Sequence, residues 1–272
     1  MRKLLIAALT LVGVVALAGV ALADNVYETH VSGGRPIAEG SLKKPVPVSV
    51  DFGFRVSETD PSKRATPIET YAIGSEGLVA NPKDFPSCTF SQVQSGPAAA
   101  CRKALVGTGV VKAASGSSSD QTLVASLPCN QRLRLYNIGD GMAIRLDTDP
   151  PYPTTPTGAA DFDTDKIGCP LQIHDAIRGR FVKTRIAGHP ASDFRFSVPP
   201  NLLHPVTGLD TSVRESVSHL PRRVTTKRVT GKRVKVGFYQ VVGCTGNRRT
   251  ARTTYTSETG QVTRSTSEKA RC

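Results

Sequence analysis

Arg222, Arg223, Lys227, Arg228, Lys232, Arg233 and Lys235 put seven cationic side chains between positions 222 and 235. Guanidinium and ammonium groups at this density attract polyanions. From Leu220 to Cys272 there are 13 Lys+Arg against 2 Asp+Glu, a balance of +11, whereas Asp24 to His219 holds 20 of each and balances to zero. On a strand, Arg233 and Lys235 share one face while Val234 and Val236 take the other. The chemistry expected of such a run is anion binding: an anionic cell-wall polymer, an acidic polysaccharide or an anionic lipid surface. The bland counterpart is a solvated strand face whose charges guard an edge against aggregation. Nucleic acid is not expected as a partner, because aromatic residues for base stacking are few.

Other chemistry is sparse. Asp161, Asp163 and Asp165 supply oxygen ligands at alternating positions, as a calcium loop begins. Lys166 stands where the sharp-turn glycine belongs, and Gln172 where the bidentate glutamate belongs, so the sequence favours a solvated acidic loop. The five histidines are His30, His174, His189, His204 and His219, none spaced as a metal pair on one element. His174 and Asp175 are adjacent, and adjacent strand residues face opposite ways, so they are not expected to form a dyad. His204 precedes Pro205 and reads as a turn residue. No nucleophile elbow, H-E-x-x-H, P-loop or dinucleotide fingerprint occurs. No cofactor is implied, and an enzyme is the less favoured class.

The elements that must carry the basic run are strands. Gly, Pro, Ser, Thr and Val are plentiful and Trp is absent, a composition of short strands and turns. Val46, Val48, Val50, Phe52, Phe54 and Val56 recur with a period of two, which predicts one half-buried strand. Further strands are expected at 68–73, 105–111, 123–127, 133–138, 142–146, 171–186 with a break at Gly179, and 194–198. Asn137 to Gly141 reads as a hairpin turn, and Ser115 to Ser119 as a flexible connection. Residues 147–165 read as an acidic Pro/Thr-rich loop. Residues 201–220 fit strand or helix, with strand preferred. Residues 234–242, 249–255 and 261–267 suggest a three-stranded meander. The fold class expected is mainly β, an antiparallel two-sheet sandwich of Ig-like type with possible subdomains: 24–44 a flexible lead-in, 45–200 the sandwich region, 201–272 a basic β-region.

Six cysteines point to disulfide staples. Pairing in sequence order is expected: Cys88 with Cys101, Cys129 with Cys169, Cys244 with Cys272. At the other end, Arg2-Lys3, an apolar run to Leu22, and Ala21-Leu22-Ala23 before Asp24 are the three parts of a secretory signal, so residues 1–23 are expected to be removed. The product is expected to be secreted, or held to the envelope without covalent attachment.

Pro45-Val46-Pro47-Val48, Phe85-Pro86-x-Cys88, Leu105-Val106-Gly107-x-Gly109, Phe196 to Pro200, Gly237-Phe238-Tyr239 and the terminal Cys272 together resemble a group of uncharacterised secreted proteins of high-GC Gram-positive bacteria. The resemblance implies export and β architecture, and it transfers no functional residue. The functional expectation is a non-enzymatic envelope protein with a basic C-terminal face for an anionic polymer. The alternatives are a secreted hydrolase acting on wall or extracellular polymers, and a purely structural envelope protein.

Overall fold

The computed structural model describes residues 25–33, 40–96, 99–148, 162, 166–244 and 248–271, with side chains excepted at 30–33, 248, 265 and 267–271. The expected signal segment, the candidate ligands Asp161, Asp163 and Asp165, the side chain of His30, and Cys272 lie outside that description. Among the described residues no helix is long and apolar enough to cross a membrane.

The strands in chain order are β1 (Asn25–Gly33), β2 (Val46–Val48), β3 (Val50–Glu58), β4 (Ile68–Ser75), β5 (Leu78–Ala80) and β6 (Leu105–Ser117). Then follow β7 (Leu127–Pro128), β8 (Gln131–Asn137), β9 (Gly141–Asp147), β10 (His174–Ile186), β11 (His189–Ser197) and β12 (Leu209–Leu220). The last five are β13 (Val224–Val229), β14 (Lys232–Gly237), β15 (Tyr239–Val241), β16 (Arg248–Ser257) and β17 (Val262–Arg271). Two short helices, α1 (Phe90–Gln94) and α2 (Pro200–Leu203), complete the set.

The mainly β, antiparallel expectation holds. The strands do not divide into the two facing sheets of an Ig-like sandwich. Eleven of them run as one path, β1-β3-β12-β6-β8-β9-β10-β11-β4-β16-β17, with β7 attached to β6. That path curls until its ends meet. Tyr27 of β1 stacks on Tyr255 of β16 with centroids 4.2 Å apart, and the Tyr255 hydroxyl lies 2.9 Å from Thr29 Oγ1. The Asn25 amide donates to Gln261 Oε1 at 3.3 Å. Strands from 201–272 (β12, β16, β17) interleave with those of 45–200 in this one sheet.

Inside the curl, Phe54, Leu133, Ile144, Ile177, Phe194 and their neighbours form the core. The small sheet β2-β15-β5 packs against the core near Leu220, and Leu202 and Leu203 of α2 pack near Thr211. Cavities of about 90 and 80 Å³ remain, and Phe54, Leu133, Ile144 and Phe196 border both.

Several expectations are corrected. Residues 24–44 are not all lead-in, since Asn25–Gly33 is an edge strand paired with β3. The 46–56 run is two strands in two sheets. Ser115 to Ser117 continue β6, because the Ser115 hydroxyl is buried against Thr211 Oγ1 at 2.8 Å. Residues 123–127 are a turn, closed by the Ser126 amide on Leu123 O, and only Leu127 enters a strand. Gly179 is no break: a Cβ there would stand 2.2 Å from the Phe194 ring, so glycine admits that ring. The 201–220 stretch is strand from Leu209 after a helical turn. The three-stranded meander does not form: β14 pairs with β13, and β15 joins β2 and β5.

Cys88–Cys101 and Cys129–Cys169 are bonded as expected. Cys244 is disulfide-bonded as well.

Closure makes a clear prediction. Tyr255 is fully buried and touches both edges of the seam. Tyr255→Ala removes a large buried aromatic and is expected to cost about 3–5 kcal/mol, read as a lower midpoint in urea unfolding. An unchanged midpoint would mean that the seam does not hold the sheet closed.

Candidate anion-binding surface

Among the residues with described side chains, three cross-strand pairs set arginine directly against arginine: Arg134–Arg145, Arg180–Arg195 and Arg228–Arg233. Like charges opposite one another on one face destabilise a sheet by roughly 0.2–1 kcal/mol. How the protein answers each repulsion distinguishes the three.

Arg134 and Arg145 share a buried counter-ion. Asp147 accepts from Arg134 Nη2 at 2.5 Å, from Arg145 Nε at 3.0 Å, and meets His174 Nδ1 at 3.1 Å. Arg145 also donates to Val93 O and Gln94 O at the C-terminal end of α1, where cationic side chains are favoured. Burial would push the Asp147 carboxyl up. The hydrogen bonds from Arg134 and His174 and the nearby guanidinium charges override it and hold the group below its ordinary value. This is an internal clamp joining β8, β9, β10 and α1.

Arg180 and Arg195 are pulled sideways. Arg180 reaches Asp140 at 4.0 Å, and Arg195 pairs with the buried Asp193 at 3.1 Å, which also takes Arg252. With Arg178, Phe90, Asp175 and Asn201 they border an open groove of about 750 Å³ on the outer face of the sheet. Its arginines have acidic neighbours of their own.

Among the described residues Arg228 and Arg233 have none. They sit on the hairpin β13–β14, whose turn places Thr230 and Gly231 at φ of 47° and 81°. Two consecutive positive φ values give the I′ type of turn, which matches the right-handed strand twist. Every residue from Thr226 to Lys235 is exposed, so both faces of the ribbon meet solvent. Register places Arg228, Arg233 and Lys235 on one face, and Lys227, Lys232, Val229 and Val234 on the other. Among the described residues Arg228, Lys232, Arg233 and Lys235 make no ion pair or side-chain hydrogen bond.

The expected seven-residue patch is therefore split. Arg222 donates to Pro47 O at 3.1 Å, Arg223 binds the carbonyls of Lys103 and Leu105, and Lys227 pairs with Asp84 at 2.6 Å. These three fasten the base of the hairpin, and the other four project. Neither the groove arginines nor the Asp147 clamp was legible from spacing, because both depend on cross-strand register.

Among the described residues, His174 and His204 face carboxylates. Besides Asp147, His174 contacts Gln172, and Asp175 turns away to accept from Asn201. His204 lies between Asp210 at 3.0 Å and Glu258 at 2.9 Å, with both ring nitrogens occupied. The Asp210 hydrogen bond and the two negative charges raise its pKa above the ordinary value. Among the described residues neither His174 nor His204 hydrogen-bonds to a hydroxyl, the nucleophile–base contact of a hydrolase.

Asp147→Asn removes the carboxylate between two guanidiniums and is expected to cost about 3–5 kcal/mol. The folded carboxyl is depressed, so its contribution is complete above the ordinary value of 3.8 and is lost as pH falls through the folded value. The gap between wild type and variant in urea unfolding should therefore be constant near neutrality and shrink in acid. The chain matches no protein-family model, no curated protein and no solved structure.

Proposed function

We propose that this is an exported, non-enzymatic binding protein of the cell envelope whose β13–β14 hairpin holds an anionic polymer. The observation that carries the reading is the Arg228–Arg233 pair, opposed across an exposed ribbon with no counter-charge among the described residues. The clamp at Asp147 has its anion inside the protein. On the hairpin the same chemistry faces outward, so a polyanion supplies what Asp147 supplies elsewhere. Arg228, Arg233 and Lys235 meet one strand of polymer, and Lys232 reaches a neighbouring segment from the other face.

Export belongs to the same reading. The N-terminal sequence has the order of a secretory signal, and disulfides persist in oxidising compartments. Phosphate- or carboxylate-bearing wall polymers suit an elongated basic ribbon better than a flat lipid surface does, because both faces of the hairpin are charged. The hydrolase reading rests on His174 oriented by Asp147, and the other hydrogen-bond partner of His174 among the described residues is Gln172 rather than a nucleophile.

The test is co-sedimentation with isolated cell walls across a salt series, with Arg228→Ser/Arg233→Ser alongside wild type. Two exposed charges at roughly 0.2–1 kcal/mol each correspond to binding weakened by about two- to thirtyfold. Binding should also fall steeply between low and physiological salt, as screening shortens to about 8 Å. Binding indifferent to salt and to the substitutions would overturn the proposal.

A further inference from the structure

The groove on the outer face of the sheet is a second cationic feature, away from the hairpin. Its floor is built by register. Arg180 of β10 stands opposite Arg195 of β11, Arg195 opposite Ala72 of β4, and Ala72 opposite Thr254 of β16. Arg178 lies two residues from Arg180 and so shares its face. All five border the groove of about 750 Å³.

The guanidiniums are held but not neutralised. Arg178 and Arg180 share Asp140, at 3.3 and 4.0 Å, and Arg195 and Arg252 share Asp193, each at 3.1 Å, so four cations stand on two anions. Among the described residues Arg178 and Arg195 each hydrogen-bond a carboxylate through Nη2 alone, and Arg180 makes no side-chain hydrogen bond. Asp193 is buried, and Gly74 leaves room for it: a Cβ there would stand 2.2 Å from Asp193 Oδ1. The buried carboxylate orients Arg195 without covering it. The side chains of Arg178, Arg180 and Arg195 remain 47%, 68% and 50% exposed, so their other donors are accessible.

The rest of the lining mixes polar and apolar groups. Asp175, which accepts from Asn201 at 2.8 Å, borders the same groove as Thr70, Phe90 and Val182. The backbones of β10, β11 and β4 are paired on both sides. A peptide therefore cannot add itself there as a strand, and recognition runs through side chains.

We infer that this groove binds an acidic saccharide in which a uronic-acid ring sits beside neutral rings. The ring carboxylate lies on Arg180 and Arg195, because a planar carboxylate matches the guanidinium fork. Asp175 repels a second anion and accepts from hydroxyls, which favours a ligand carrying both groups over a polyphosphate. Phe90 and Val182 offer apolar surface to the C–H faces of the rings. The volume lies within the roughly 300–1,000 Å³ of small-ligand clefts and exceeds what a lone ion fills. The site shares no residue with the hairpin and stands whether or not the hairpin binds polymer.

The experiment is isothermal titration of the purified protein with a hyaluronan tetrasaccharide, in which glucuronate alternates with N-acetylglucosamine. The comparators, at equal ionic strength, are the neutral N-acetylglucosamine tetramer, a capped tetrapeptide with two glutamates, and tripolyphosphate. The acidic saccharide is expected to bind more tightly than all three. Arg180 is exposed and makes no side-chain hydrogen bond, so Arg180→Gln keeps the fold and should weaken binding by about two- to fivefold. Arg180→Gln/Arg195→Gln should weaken it further, and Arg228→Ser/Arg233→Ser should leave it intact. Absence of binding, a comparator that binds as tightly, or an affinity unchanged in Arg180→Gln overturns the site.

Discussion

Everything else in this molecule depends on one sheet closing on itself. An open path of eleven strands leaves two edges and an apolar concave face, and both are liabilities in water. The stack of Tyr27 on Tyr255, backed by the hydrogen bond to Thr29, brings the first strand against the last hairpin and buries that concave face. Tyr71 stacks on Phe196 at 4.6 Å and meets Tyr255 edge-on, carrying the aromatic seam into the core. Aromatic pairs of this kind contribute beyond the area they bury, which suits a seam that has few ladder hydrogen bonds to rely on. Closure also fixes where the basic ribbon goes. With both sheet edges engaged, β13 and β14 are left to pair only with each other and to project.

Charge follows the same division between inside and outside. Buried carboxylates here serve as counter-ions for arginines: Asp147 for Arg134 and Arg145, Asp193 for Arg195 and Arg252. Such groups are worth keeping only when each charge is met and hydrogen-bonded. The hairpin departs from that pattern. Its charges lie in solvent, where uncompensated charge is tolerable.

Much of the fold was legible in local signals. The Asn137–Gly141 turn gave the β8–β9 hairpin, and the segments 249–255 and 261–267 gave the paired strands β16 and β17. Two of the disulfides followed from sequence order. What was not legible was non-local. Ser115 looked like linker because its hydroxyl's partner, Thr211, is 96 positions away. Gly179 looked like a break because the Phe194 ring that needs its space belongs to another strand. The basic run was visible as composition, but spacing along the chain does not tell Arg223, bound to backbone carbonyls, from Arg228, which has no side-chain partner among the described residues.

The distinction between edge protection and binding turns on register. A projecting ribbon has two open edges, and charged side chains on it discourage pairing with other chains. Protection alone is satisfied by any charged residues, and alternating signs provide it while gaining cross-strand attraction. This hairpin has no acidic residue between Val224 and Gly237, and it sets Arg228 against Arg233 at the cost of repulsion. A sequence shaped only to keep the ribbon from aggregating has no need of that repulsion. On the binding reading the repulsion has a use: a bound polyanion relieves it more fully than salt does, and that relief adds to the affinity.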